Sequence, residues 1–266
     1  MSSKIQLLTQ AASNKAFFSF ILVLSIVALT GCGMEASPIT AESPGFFNHF
    51  LVYPFSWLLI KTAVLFGNNY GLSIIAVTIF IRVMLLPLMI KQSKSMKALQ
   101  DIQPKINVLK EKYTATDEKT QKKLQEETLK LFQSEGVNPL GSGCLPVLIQ
   151  MPILLAFYYA ISRTEELARH SFLWFDLGAP DPFYVLPVLA ALMTFLQLKV
   201  SAATQKNANN QLAVLNNIMP IMILVFAINF PSALSLYWVV GGIFGIAQTY
   251  FLNQNRLSTV QETVKN

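Results

Sequence analysis

The chain has 266 residues, 53% of them hydrophobic and only 13% charged, and its mean hydropathy is positive. That balance excludes an ordinary water-soluble domain, and the apolar residues come in blocks that reach or approach the roughly 20 needed for a helix to cross about 30 Å of hydrocarbon. The formal net charge of +6 does not require a nucleic-acid partner, because the basic residues cluster in particular loops, as membrane topology demands.

Residues 1–31 read as a lipoprotein signal peptide. Lys4 and Lys15 supply a basic start, Phe17 to Leu29 an apolar stretch, and Leu29-Thr30-Gly31-Cys32 a lipobox. The alternative is an ordinary signal peptide or first span with an incidental cysteine. On the lipoprotein reading the mature chain begins at Cys32, whose sulfur carries a diacylglycerol, with or without an added N-acyl chain, at the outer surface. No other cofactor is expected. Cys144 reads as a small packing residue and not as a reactive thiol.

Residues 32–45 form a polar outer tether, and residues 46–61 an apolar, aromatic segment that carries His49 and Pro54 and stops at Lys61. That segment is too short to span comfortably, so it is expected as an interfacial helix on the outer face, although one long bent helix with the first span would also fit. The first span falls within residues 62–90, from about Tyr70 to Ile90. Four more follow within residues 140–252, near Gly143–Ile161, Phe183–Leu198, Leu212–Phe230 and Ala233–Leu252, and residues 253–266 form a short tail.

The segment 91–139 repeats apolar residues every three or four positions: Met96, Leu99, Ile102, Ile106, Leu109 and Tyr113, then Leu124, Thr128, Leu131 and Phe132. Asp117 offers a helix start between the two runs and Asn138-Pro139 a stop, so a helical hairpin is predicted in place of a solvated charged linker. Ten lysines between Lys91 and Lys130, with Lys199, Lys206, Arg256 and Lys265, face Lys61, Arg163 and Arg169 on the other side. The lysine-rich side is therefore cytoplasmic. The predicted fold is an all-α integral protein of the bacterial cell membrane, with five transmembrane helices, an external interfacial helix and a cytoplasmic helical hairpin. Its lipid-anchored N-terminus lies outside and its C-terminus inside.

Arg82 is the one charged residue well inside a predicted span. Translocon scales make a mid-membrane arginine unfavourable by about 2.5–3.5 kcal/mol, so it should face protein or water. Its nine-residue separation from Lys91 places it roughly 13 Å above the inner surface. On the same depth scale Gln150, Gln197, Asn216, Asn217 and Gln248 all fall toward the cytoplasmic half. Either these residues line a hydrated cavity open to the cytoplasm, or they are unrelated polar groups near helix ends. Pro87, Pro146, Pro152, Pro187 and Pro220 should weaken the spans, while Gly241, Gly242 and Gly245 allow close helix approach. No Asp, Glu or His lies inside a predicted span and no phosphate-cradling loop occurs, which argues against a proton relay, a metal site, a serine–histidine protease or a nucleotide-driven machine. The chain does not read as an enzyme.

Three motifs in order, Thr78-Ile-Phe-Ile-Arg82-Val-Met-Leu-Leu-Pro87, Leu145-Pro146-Val-Leu-Ile-Gln150-Met-Pro152-Ile153 and Pro231-Ser-Ala-Leu-Ser-Leu-Tyr237-Trp238 with Gln248 beyond, resemble the YidC insertases. With its lipobox and five spans the chain is similar to the lipoprotein form of Gram-positive bacteria, over essentially Phe46 to Asn253. The resemblance implies a groove open to the cytoplasm and lipid but closed outside, with Arg82 as its charge, Gln150 and Gln197 lining it, and Trp238 near its outer wall. It also implies nascent membrane proteins as clients, with the Sec translocon and the ribosome as further partners. A small-solute channel or transporter is the rival, and an assembly chaperone for helices already inserted is a third reading.

Overall fold

The computed structural model describes residues 37–113, 117–137, 145–203 and 210–265. The signal peptide, Cys32, Cys144 and the Asn138-Pro139 stop lie outside the described residues.

The described chain enters through a π-helical turn, Asn48–Val52, that runs into α1, Tyr53–Leu65. Pro54 has no N–H for the Phe50 carbonyl four residues back, and the register widens there, with the Tyr53 N–H bonding Asn48 O instead. Gly67 and Asn68, both at positive φ, reverse the chain into α2, Tyr70–Asp101, whose first turn is capped by Asn69 Oδ1 accepting from the Leu72 N–H at 3.0 Å. Ser73 Oγ then donates to Leu59 O at 2.6 Å and ties the two helices together.

α2 has 32 residues, about 48 Å at helical rise, so it outlasts the hydrocarbon and continues unbroken past Ile90. Nothing between Lys91 and Asp101 offers a helix stop; the break comes at Ile102, just before Pro104 opens α3, Gln103–Lys112. The first leg of the predicted hairpin is thus partly an extension of the span. Asp117 Oδ2 accepts from the Thr120 N–H at 3.1 Å and starts α4, Glu118–Ser134, which ends at left-handed Gly136. Tyr113 donates to Glu127 at 2.7 Å, Lys112 lies 3.7 Å from the same carboxylate, and Lys105 pairs with Glu135, so the two helices pack with Ile102 and Ile106 buried. An open cavity of about 580 Å³ remains between them, lined by Val108, Leu109 and Leu131 together with Lys105, Lys130, Glu127 and Ser134.

The rest comprises α5, Leu145–Ser162; a short α6, Glu165–Ala168; a two-stranded antiparallel ribbon of β1, Ser171–Phe172, and β2, Phe175–Asp176; α7, Val185–Ala203; α8, Asn210–Asn229; and α9, Ser232–Lys265. The ribbon was not predicted, because two-residue strands are too short to show a period. Among the described residues three segments are long and apolar enough to cross a membrane, Tyr70–Lys112, Val185–Ala202 and Ser232–Leu252, and two shorter apolar helices run Ile149–Ser162 and Ile218–Asn229. α9 packs mainly on α7 and α2, and α8 on α7. Pro87, Pro152 and Pro220 lie inside continuous helices, whereas Pro187 sits in the first turn of α7, where a missing N–H does no harm.

The core lies at one end. Every buried residue of α2 falls between Tyr70 and Thr78, and those of α5 begin at Ala156. They pack with Val52, Leu59 and Ala63 of the entry helices, Leu167, Phe175 and Leu177 of the α5–α7 loop, and Leu234 and Tyr237 of α9. At this closed end Arg163 is buried, donating through Nε to Ser37 O and through Nη1 to Asn48 Oδ1, both at 2.8 Å. By contrast α2 presents Ile79, Phe80, Val83, Met84 and Leu88 on its exterior, and α8 Ile221, Met222, Val225 and Phe226, as lipid-facing helices should.

In the hairpin, the Tyr113 hydroxyl and, after it, the Lys112 ammonium hold the Glu127 carboxyl below its ordinary range. A depressed carboxylate contributes fully above its unfolded pKa and loses its contribution as pH falls through the folded value. Tyr113→Phe should therefore move the Glu127 carboxyl titration upward in carbon-detected NMR. An unchanged titration would separate the two residues.

Candidate functional site: a polar seat on the last helix

Arg82 lies one turn beyond Thr78, the last buried residue of α2, and so just past the floor of the packed cap. It is half-buried. Its guanidinium carbon lies 5.9 Å from the centroid of the Tyr237 ring. The same group rests on Gly241: a Cβ there would stand 2.5 Å from Nη2 and 3.2 Å from Cζ, so the glycine makes room for it. Among the described residues no carboxylate pairs with Arg82.

The amides gather on the same helix. Gln150, on α5, donates through Nε2 to the Tyr237 hydroxyl at 2.6 Å. Tyr237 is itself only 2% exposed, and its ring meets Phe157 at 5.0 Å between centroids. Gln197, on α7, lays its amide over Gly245, where a Cβ would collide with it. Between those positions Gly242 brings α9 against α7, with a Cβ there only 2.8 Å from Met193 Cβ. Gln248 completes the run, its Oε1 buried without a hydrogen-bond partner. Positions 237, 241, 245 and 248 recur at four, four and three residues and so form one stripe of α9.

Of the residues singled out from sequence, Arg82, Gln150, Gln197 and Gln248 therefore converge on, or belong to, this stripe. Trp238 is one residue around the helix and packs partly buried against the apolar core. Asn216 and Asn217 lie on α8, but their side chains are outside the described residues. Sequence reading missed Tyr237, Gly241 and Gly245 as parts of the site; their four-residue spacing was the available signal.

Magnitudes define what the arrangement can do. A cation–π contact contributes about 0.5–2 kcal/mol, and this one is near the limit of range, against about 2.5–3.5 kcal/mol for placing arginine in hydrocarbon. The ring cannot offset the whole penalty. Water or an incoming polar group must supply the difference, and Arg82 is only partly buried. With neither carboxylate nor histidine beside it, the seat suits noncovalent attraction of an anionic or strongly dipolar group.

The chain matches the 60Kd inner membrane protein family over residues 61–259. It is 57% identical over 235 residues to membrane protein insertase MisCA of Bacillus subtilis strain 168, covering 87% of this chain and 90% of that protein. It is 56% identical over 232 residues to membrane protein insertase YidC 2 of Bacillus anthracis, covering 87% and 91%. A crystal structure of active YidC insertase with its first transmembrane domain resolved superposes with a TM-score of 0.61 at 28% identity, covering 78% of this chain and 47% of that longer one. Together with the motifs around Arg82, Gln150 and Tyr237, these likenesses place the chain in the 60Kd inner membrane protein family, as a YidC-type membrane protein insertase of the Gram-positive kind.

Proposed function

We propose that this chain inserts and helps fold newly made membrane proteins through a groove that begins at Arg82 and opens away from the packed cap. The observation that carries the reading is the position of Arg82: half-exposed, seated on Gly241 over Tyr237, immediately past the last buried turn of α2. The family membership and the names of its relatives supply the activity; the seat supplies a place for it.

In this reading five helices cross the membrane, α1 lies along the outer surface, and the α3–α4 hairpin projects into the cytoplasm with its lysines. Cys32 carries the lipid anchor outside. A client's polar, often acidic, extracellular segment enters from the cytoplasm, drawn to Arg82, while Gln150, Gln197 and Gln248 lend hydrogen-bonding capacity that water shares. Asn216 and Asn217 would extend the polar lining from α8. The apolar helix of the client passes sideways into lipid beside α2, α7 and α9. Apolar transfer, at roughly 25 cal/mol per Å² removed from water, drives the step, and the groove lowers the barrier for the polar part. The hairpin, whose cavity combines apolar walls with Lys105 and Lys130, would recruit the ribosome or the Sec translocon. The buried cap beyond Arg82 argues against a solute channel, since Phe157, Ile161, Leu167 and Leu234 are fully or almost fully buried across the path such a channel would take.

Arg82→Ala should impair insertion of a single-span client with an acidic tail, by about tenfold if one charge-assisted contact of ~1.4 kcal/mol is lost, whereas Arg82→Lys should largely retain it. Liposomes containing this protein alone provide the assay; equal insertion by all three proteins would remove the electrostatic role, and insertion only when the translocon is added would favour the assembly-chaperone reading. Gly241→Ala provides a second check. The new methyl group must push the guanidinium off its seat, so insertion of acidic-tailed clients should fall more than insertion of neutral-tailed ones. Equal losses for both client types would indicate a packing effect unconnected with Arg82.

A further inference from the structure

The connection between α5 and α7 carries backbone strain, and neither the groove nor the core explains what its outer face does. Leu173 is 74% exposed, Phe183 68%, Tyr184 54% and Trp174 42%. Two of these bulky residues, Leu173 at φ 56° and Tyr184 at φ 58°, hold a left-handed backbone that large L side chains avoid. The chain adopts a disfavoured conformation twice, and each time the result is an apolar side chain directed outward. Such strain persists only where surrounding structure over-determines it.

Asp181 provides that structure. It is 1% exposed, and its Oδ1 accepts from the Trp174 indole N–H and the Phe183 N–H, each at 3.1 Å, while Oδ2 accepts from the Leu186 N–H at 2.7 Å. One carboxylate thereby fixes the ribbon turn, the residue before Tyr184 and the first turn of α7 as a unit. The loop is tied to its neighbours as well, through Gly178 N–H to Ala168 O at 3.1 Å and Ser232 N–H to Ala179 O at 2.7 Å.

We propose that Leu173, Trp174, Phe183 and Tyr184 form an interfacial anchor that seats in the lipid headgroup region at the closed end of the bundle. The occupant follows from continuity: Tyr184 directly precedes Val185, the first residue of α7, and α7 exposes Val185, Val188, Leu192 and Phe195 along a helix long enough to cross the bilayer. Asp181 holds Trp174 and Phe183 beside the first turn of α7, so lipid that covers the start of α7 lies next to the loop. Because Asp181 already accepts the indole N–H, the Trp174 ring can enter the interface without leaving a donor unpaired. The inference requires only that α7 spans the membrane, and it is independent of the client path at Arg82.

Depth-dependent quenching tests it. In the full chain carrying Trp57→Phe and Trp238→Phe, Trp174 is the sole tryptophan; reconstituted in phosphatidylcholine–phosphatidylglycerol vesicles, its fluorescence should be quenched at least twofold more by lipids brominated near the headgroup than by lipids brominated near the chain end, and only weakly by aqueous iodide. Strong quenching by iodide with none from brominated lipid would overturn the anchor and leave the surface for a soluble partner, and quenching chiefly by the deep bromines would overturn the interfacial placement. A nitroxide on Leu173→Cys, read against the identically treated unsubstituted chain, gives a second measurement that preserves all three tryptophans. Collisions with oxygen should exceed those with a water-soluble nickel chelate, and the reverse order would equally overturn the proposal.

Discussion

The close approach of the Arg82 guanidinium to Gly241, over the Tyr237 ring, is the constraint on which the proposed groove depends. A cation at this depth is tolerated only if its desolvation is incomplete, and the glycine makes room for the guanidinium against α9 while the residue stays only partly buried. A residue with a side chain at position 241 would force the cation either into lipid or fully into the groove. Tyr237 closes the arrangement from the packed side, since its buried ring faces Phe157 while its hydroxyl accepts from Gln150. One aromatic residue thus joins the apolar cap to the polar stripe.

The uneven distribution of packing has the same origin. At the closed end, α1, the α5–α7 loop and the start of α9 supply Leu59, Leu167, Phe175, Leu177 and Leu234 to a single cluster, where Ser56 pairs with Thr164 at 2.7 Å while Ser235 Oγ is buried without a hydrogen-bond partner. Beyond Thr78 the helices meet through small residues on α9, with Gly242 against Met193 and Gly245 against Gln197. Glycine contacts bring backbones close without filling the space between neighbouring helices, so a tight α7–α9 junction is compatible with the proposed groove. On the stripe itself Gln248 Oε1 is buried without a hydrogen-bond partner, and in the proposed groove it would be met by water or by a client.

Much of this was legible in the sequence because membrane helices carry their signal in composition. The apolar blocks gave the helices around Tyr70, Val185 and Ser232, and charge rarity made Arg82 stand out among 266 residues. The three-to-four-residue spacing of Ile102, Ile106 and Leu109 anticipated helix at α3, and Asp117 its successor's cap. The rest depends on information that no local pattern holds. Tyr237 entered the sequence reading only as part of a family motif, since its role comes from Arg82 and Gln150, 155 and 87 positions away. The ribbon at Ser171–Asp176 and the left-handed Leu173 follow from Asp181 and its three donors, a tertiary arrangement and not a propensity. Trp238, chosen from the family motif, stands beside the stripe because a one-residue step turns a helix by about 100°.

Relative magnitudes explain why such a site can work without nucleotide or proton chemistry. Burying one leucine-sized side chain is favourable by about 1.5–3 kcal/mol, so a client helix of roughly 20 apolar residues far outweighs one or two carboxylates, each disfavoured by about 2.5–3.5 kcal/mol at mid-membrane. The final state needs no help. The difficulty lies in the passage, when the carboxylates are dehydrated before the apolar helix has reached lipid. In the proposed mechanism a fixed cation one turn past the cap would act at that moment only, and a partly solvated Arg82 would release the tail once the helix has partitioned. A counter-ion fixed beside Arg82 would abolish this action by satisfying the charge in advance, and among the described residues none is present.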